Sequence, residues 1–149
     1  MMEAIREILV RELGKLRAEV EAYPSDEAVW REAPGISNPG GTMVLHVTSN
    51  LRHFVGAVLG GTGFVRDRDA EFTTRGTPRA ELLAMIDRAA ADVDATLARL
   101  DDGVMGQPYP VPVLGRENTM AFFLVHLTQH FTYHLGQVNY HRRLVGASA

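Results

Sequence analysis

The sequence has no cysteine, a single tryptophan, and one lysine against fourteen arginines. Without cysteine there can be no disulfide, no thiolate zinc site and no cysteine nucleophile, so any metal must be held by nitrogen and oxygen ligands. No apolar run approaches the roughly 18 residues that a membrane span requires. The opening stretch MMEAIREILVREL places Glu3, Arg6, Glu7, Arg11 and Glu12 where a signal peptide would need an apolar core. The expectation is a soluble, cytoplasmic protein with no membrane partner. Neither sign of charge dominates: the net charge is −3, and the arginines are interleaved with acids. There is no basic patch for nucleic acid and no acidic tail.

What is present suffices for one self-contained domain over residues 1–149, since a chain of this length buries about 70% of its unfolded surface. From Met2 to Tyr23, apolar Ile5, Ile8, Leu9, Leu13, Leu16 and Val20 recur at steps of three and four with charged residues between them, which predicts an amphipathic helix ended by Pro24. Ser25 can cap a short turn through Trp30, before the breaker-rich APGISNPGG. A second long helix is expected from Thr42 to Leu59, stopped by Gly60 and Gly61. Residues 60–77 show neither helical nor strand period and read as a long connection. Thr77-Pro78 predicts a cap with proline at the first helical position, opening a third helix whose stripe is Leu82, Leu83, Ile86, Val93, Leu97 and Leu100. Residues 101–117 are a second long connection, with PYPVPVL extended as one edge of a small hairpin. A fourth helix should run from Asn118 to Val145. The fold expected is all-α, a four-helix bundle.

The six histidines occupy two windows: His46 and His53 in VLHVTSNLRHFV, and His126, His130, His134 and His141 in HLTQHFTYHLGQVNYH. With His126 set at 0° on a helical wheel, His130 falls at about 40° and His134 at about 80°, within the arc of Phe123, Leu127, Phe131 and Val138. Residues four apart are side-by-side neighbours, the spacing at which one helix can offer a metal two imidazoles, and His130 and His134 lie closest to the centre of the arc. His46 borders the core of the second helix, and a third imidazole from a facing helix would complete three neutral nitrogen ligands with room for water or substrate. Against this stands the simpler possibility of satisfied core histidines, which is the expectation for His53 and His141. Several neutral imidazoles on one buried stripe nevertheless need partners, and a divalent ion supplies them.

Rival chemistries lack their residues. HFTYH and HLTQH have no glutamate after the first histidine, so the zinc-protease motif is absent. The second and fourth helices hold no acidic residue for a di-iron carboxylate site. No GxSxG occurs, and GGTG at 60–63 lacks the lysine and the strand of a phosphate loop. Asn50, one turn after His46, and Gln137, beside His134, are candidates to orient ligands or substrate, or to hydrogen-bond within the bundle. His126, Tyr133 and Trp30 are candidates for the pocket wall; the two aromatics fit the core equally well.

With LHVTSN around His46 and HLTQHFTYHLGQ around His130, His134, Gly136 and Gln137, the chain resembles the DinB/YfiT-like superfamily over essentially its whole length. The resemblance implies an up-down-down-up bundle, a nickel or zinc ion on His46, His130 and His134, and a homodimer. Some relatives transfer or isomerise groups with low-molecular-weight thiols. By resemblance the function expected is thus a metal-dependent, thiol-using S-transferase acting on a small-molecule substrate. A metal-dependent hydrolase is the alternative enzyme, and a non-catalytic metal- or ligand-binding stress-response module the alternative outside catalysis.

Overall fold

The computed structural model describes residues 1–147. Helix α1, Met2–Glu21, buries Ile5, Leu9, Leu13, Leu16 and Val20 to 5% exposure or less. Each such side chain contributes about 1.5–3 kcal/mol of transfer free energy. The helix ends two residues before the expected Tyr23, where the Ala22 amide bonds back to the Ala18 carbonyl ahead of Pro24. The Ser25 hydroxyl then accepts from the Ala28 amide and opens the short α2, Asp26–Val29.

Helix α3, Gly40–Leu51, starts two residues earlier than Thr42 and continues as a π-helical segment, Arg52–Ala57. Gly40 and Gly41 act as packing residues of the first turn, where the sequence pattern suggested breakers. A Cβ on Gly40 would lie 2.0 Å from the Tyr23 hydroxyl oxygen, and one on Gly41 would lie 2.7 Å from the Trp30 ring. Gly40→Ala therefore displaces a buried hydrogen-bonded tyrosine, and we expect a net loss of about 1–3 kcal/mol in spite of alanine's higher helix propensity. Thermal denaturation measures it, and an unchanged Tm would contradict this packing.

The 60–77 connection is not structureless. It contains α4, Arg68–Thr73, capped by Asp67, whose carboxylate accepts from the Ala70 amide at 3.0 Å. Six residues are too few for an apolar period to register, which is why the stretch reads as a loop. Helix α5 runs Arg79–Leu97, with Pro78 as extended N-cap rather than first helical residue. Its first amide is taken by a distant acid, Asp26 Oδ1, at 3.3 Å. After a 3₁₀ turn at Asp102–Val104, two isolated antiparallel bridges, Pro108–Thr119 and Val113–Arg116, make the small hairpin without a continuous strand among the described residues. Leu114 and Gly115 at its tip both have positive φ, 57° and 71°, as a tight two-residue hairpin turn requires. Helix α6, Met120–Ala147, closes the chain.

Cross-contacts set the directions. Arg6 pairs with Asp94 and Arg17 with Asp87, so α1 and α5 are antiparallel. Ile5 and Ile8 share a groove with Val125 and Thr128 while Glu19 meets Asn139, so α1 and α6 run parallel. Gly40 meets His141 and Phe54 meets Phe123, so α3 and α6 are antiparallel. The four long helices thus run up, down, down, up around one apolar core. The π-helical end of α3 is pinned by Tyr109, whose hydroxyl donates to the Phe54 carbonyl at 2.7 Å. Among the described residues no helix is long and apolar enough to cross a membrane.

Candidate metal site

His46 leaves α3 toward α6 and is 7% exposed. Its Nε2 lies 3.2 Å from His130 Nε2, which lies 3.2 Å from His134 Nε2. His46, His130 and His134 form a group whose ligand atoms all fall within 4.8 Å of one another, and it is the one such group of three among the described residues. The helical step of four brings His130 and His134 together, and the antiparallel α3 delivers the third ring.

The outer ring nitrogens fix the tautomers. His46 Nδ1 is 2.9 Å from Glu71 Oε2, and a carboxylate can only accept, so this nitrogen carries the proton and Nε2 presents a lone pair. His134 Nδ1 donates in the same way to the Gln137 amide oxygen at 2.6 Å. Two lone pairs therefore face His130 Nε2. A shared proton or a cation would satisfy these lone pairs, and the two separations of 3.2 Å from His130 Nε2 are close to the edge of about 3.3 Å for a tetrahedral ion with 2.0–2.1 Å bonds, the whole set lying within 4.8 Å. The donor set fits a divalent ion such as zinc or nickel, and its three side chains are one short of a tetrahedral shell.

Glu71 is the residue that sequence reasoning missed. It is 3% exposed, on α4. Arg66 grips it at both oxygens, Nε to Oε1 at 2.6 Å and Nη2 to Oε2 at 2.9 Å. Burial by itself would raise the Glu71 pKa, but the hydrogen bonds from His46 and Arg66, with the Arg66 charge, bring it below the ordinary carboxylate value. The carboxylate is thus ionised, and it orients His46 as the outer partner of a metal-binding imidazole does. The one signal in the sequence was the cap pattern beginning at Asp67.

Desolvation lowers the His130 pKa to about 4, helped by neighbouring His134, His46 and His126 and by Arg66. Burial also lowers that of His134, against the opposing hydrogen bond to Gln137. Neutral imidazoles are what a metal needs. The same shift makes a prediction for the metal-free protein. The unfolded chain takes up the His130 proton near pH 6.5 and the folded chain only near 4. Between these values the unfolded state binds more protons, so stability falls on acidification. From pH 7 to pH 5 His130 alone should cost about 2 kcal/mol. Below that, Glu71 acts with the same sign, its stabilisation being lost as pH falls through its lowered folded value. Urea denaturation of metal-free protein checks this, and equal stability at pH 7 and pH 5 would contradict it.

The remaining histidines stand apart. His141 is 2% exposed and saturated: Nδ1 accepts from the Tyr23 hydroxyl at 2.7 Å and the Gly40 amide at 3.2 Å, while Nε2 donates to the Arg31 carbonyl at 2.9 Å. It is a core histidine with no free nitrogen. His53 and His126 line the cavity in front of the cluster, and His126 stacks on His130 with ring centroids 6.1 Å apart. Asn50 lines the same cavity, and Gln137 holds His134. Trp30 and Tyr133 do not line it. The Trp30 indole donates to the Thr77 carbonyl at the start of α5. Tyr133 is 61% exposed, in the outer groove between α1 and α6.

The model of the family described as the DinB superfamily matches residues 8–138. The crystal structure of a DinB-like protein from Bacillus cereus is similar in fold, with a TM-score of 0.70 at 19% identity over 91% of this chain and 86% of that one. Comparison with curated proteins finds no match.

Proposed function

This chain belongs to the DinB superfamily, and from that premise we propose that it is a metal-dependent enzyme which holds a nickel or zinc ion on His46, His130 and His134 and uses a low-molecular-weight thiol for S-transfer to a small molecule. The observation that carries the proposal is the convergence of the three Nε2 atoms, two of them with their Nδ1 protons anchored on Glu71 and Gln137. The bound ion would supply Lewis acidity, lowering the pKa of a thiol or water beside it.

The protein's own residues favour the thiol over hydrolysis. A hydrolase wants a base to take a proton from water, yet among the described residues no carboxylate lines the cavity, and Glu71 is already engaged by Arg66 and His46. A thiol ionises more readily than water and does without that base. Phe54, Phe72 and Phe123 line the cavity beside the imidazoles, and their apolar surface lowers the local dielectric and strengthens charge interactions there.

Cobalt(II) substitution tests the proposal. A small thiol added to the cobalt protein should shift its visible spectrum, and the shift should vanish in His130→Ala. A spectrum indifferent to thiols and other small anions would mean a closed shell, and the protein would then be a binding module with a structural metal. A homodimer belongs to the same reading. Light scattering should give twice the chain mass of 16.4 kDa, and a monomer at micromolar concentration would remove that part.

A further inference from the structure

The three imidazoles open onto a cavity of about 620 Å³ bounded by α3, α4, the hairpin turn and α6. Its chemistry is one-sided. Among the described residues two guanidinium groups, Arg66 and Arg68, lie on it, and no acidic side chain does. Arg66 is spent on Glu71, but Arg68 forms no ion pair among the described residues. Its guanidinium carbon rests 5.2 Å from the Phe72 ring centroid, and that ring lies 5.1 Å from the His46 ring. One phenyl ring therefore contacts both the uncommitted cation and a member of the cluster.

A second observation is independent of the first. Asn50 is 8% exposed, lines the cavity, and its side-chain amide has no hydrogen-bond partner among the described residues. Among the described residues the buried side-chain polar atom without a partner is Thr42 Oγ1, so the Asn50 amide reaches the cavity, where it is free to pair with an entering ligand. Asn50 follows His46 by one helical turn, which sets it on the same face of α3, on the imidazole side of the cavity.

We propose that this cavity selects ligands bearing a carboxylate, with Arg68 taking the charge, Asn50 hydrogen-bonding the polar group nearer the imidazoles, and the ligand's donor atom facing the histidine cluster. Only the last part rests on the metal reading. Charge-assisted bonds to a guanidinium are roughly twice as strong as neutral ones, and the nearby Glu71 carboxylate is already neutralised by Arg66.

The test uses two thiols of equal length, 3-mercaptopropionate and 3-mercapto-1-propanol, titrated calorimetrically into zinc-loaded protein. The carboxylate should bind about tenfold or more tightly. Arg68→Ala, an exposed position, should remove most of that gap without changing zinc content. Asn50→Ala should weaken both thiols severalfold. Equal affinities in the wild type, or a gap unchanged in Arg68→Ala, would overturn the proposal, and unaltered binding by Asn50→Ala would remove Asn50 from it. If neither thiol binds, the metal-and-thiol reading fails. The carboxylate claim is then judged on metal-free protein by thermal shift with 3-phenylpropionate against 3-phenylpropanamide: a larger shift with the acid, abolished in Arg68→Ala, upholds it, and equal shifts overturn it.

Discussion

Replacing His130 by alanine should lower bound divalent metal by at least about tenfold, and so should His46→Ala and His134→Ala, whereas His53→Ala and His141→Ala should leave it unchanged. His130 should be the most sensitive because its Nε2 is the central atom, 3.2 Å from each of the other two. His141 is the informative control. On a helical wheel it falls between His130 and His134, so a purely periodic account would treat it as a ligand. Its two nitrogens are consumed by Tyr23, Gly40 and Arg31. His141→Ala orphans those buried groups and should cost about 2–4 kcal/mol of stability with metal stoichiometry intact. Inductively coupled plasma analysis beside urea denaturation separates the two effects. Metal loss in His141→Ala equal to that in His134→Ala would sink the assignment.

Glu71→Gln reaches the same site from outside the ligand set. The glutamine oxygen can still accept the His46 Nδ1 proton, but the negative charge is gone, and Arg66, 12% exposed at its side chain, loses its ionic partner. Metal affinity should fall about 10- to 100-fold, as it does when an outer partner of a ligating histidine is removed. Stability should fall in parallel, by about 3–5 kcal/mol, because breaking a buried pair leaves an uncompensated charge. Measuring Kd by competition with a chromophoric chelator, and stability on metal-free protein, keeps the two losses distinct. A normal Kd in Glu71→Gln would mean that the carboxylate serves only the packing of α4.

Helices α1, α5 and α6 were legible because apolar residues repeat at three and four over many turns, and such long stripes bury themselves wherever partners are found. The pairing of His130 with His134 was legible for the same reason, being local to one helix. His46 stood out as a core-bordering histidine of a second helix, and the resemblance completed the set, since no local pattern says which residue of a facing helix reaches across. Glu71 was hidden twice over: α4 is too short to show a period, and its value arises only when the chain folds back to set it behind His46. Gly40 and Gly41 misled because glycine marks breaks and close approaches alike, and here Tyr23 and Trp30 decide which. His141 shows the converse limit. Its angle on α6 resembles a ligand's, and only partners on other elements make it a core residue.

Zinc K-edge X-ray absorption on the loaded protein reads ligand type and number at the ion itself. A three-histidine site gives three imidazoles at about 2.0–2.1 Å and one further oxygen or nitrogen scatterer. Adding 3-mercaptopropionate should replace that scatterer by one sulfur at about 2.3 Å. A shell with no imidazole signature, or a fourth ligand that thiol does not exchange, would contradict the proposed site.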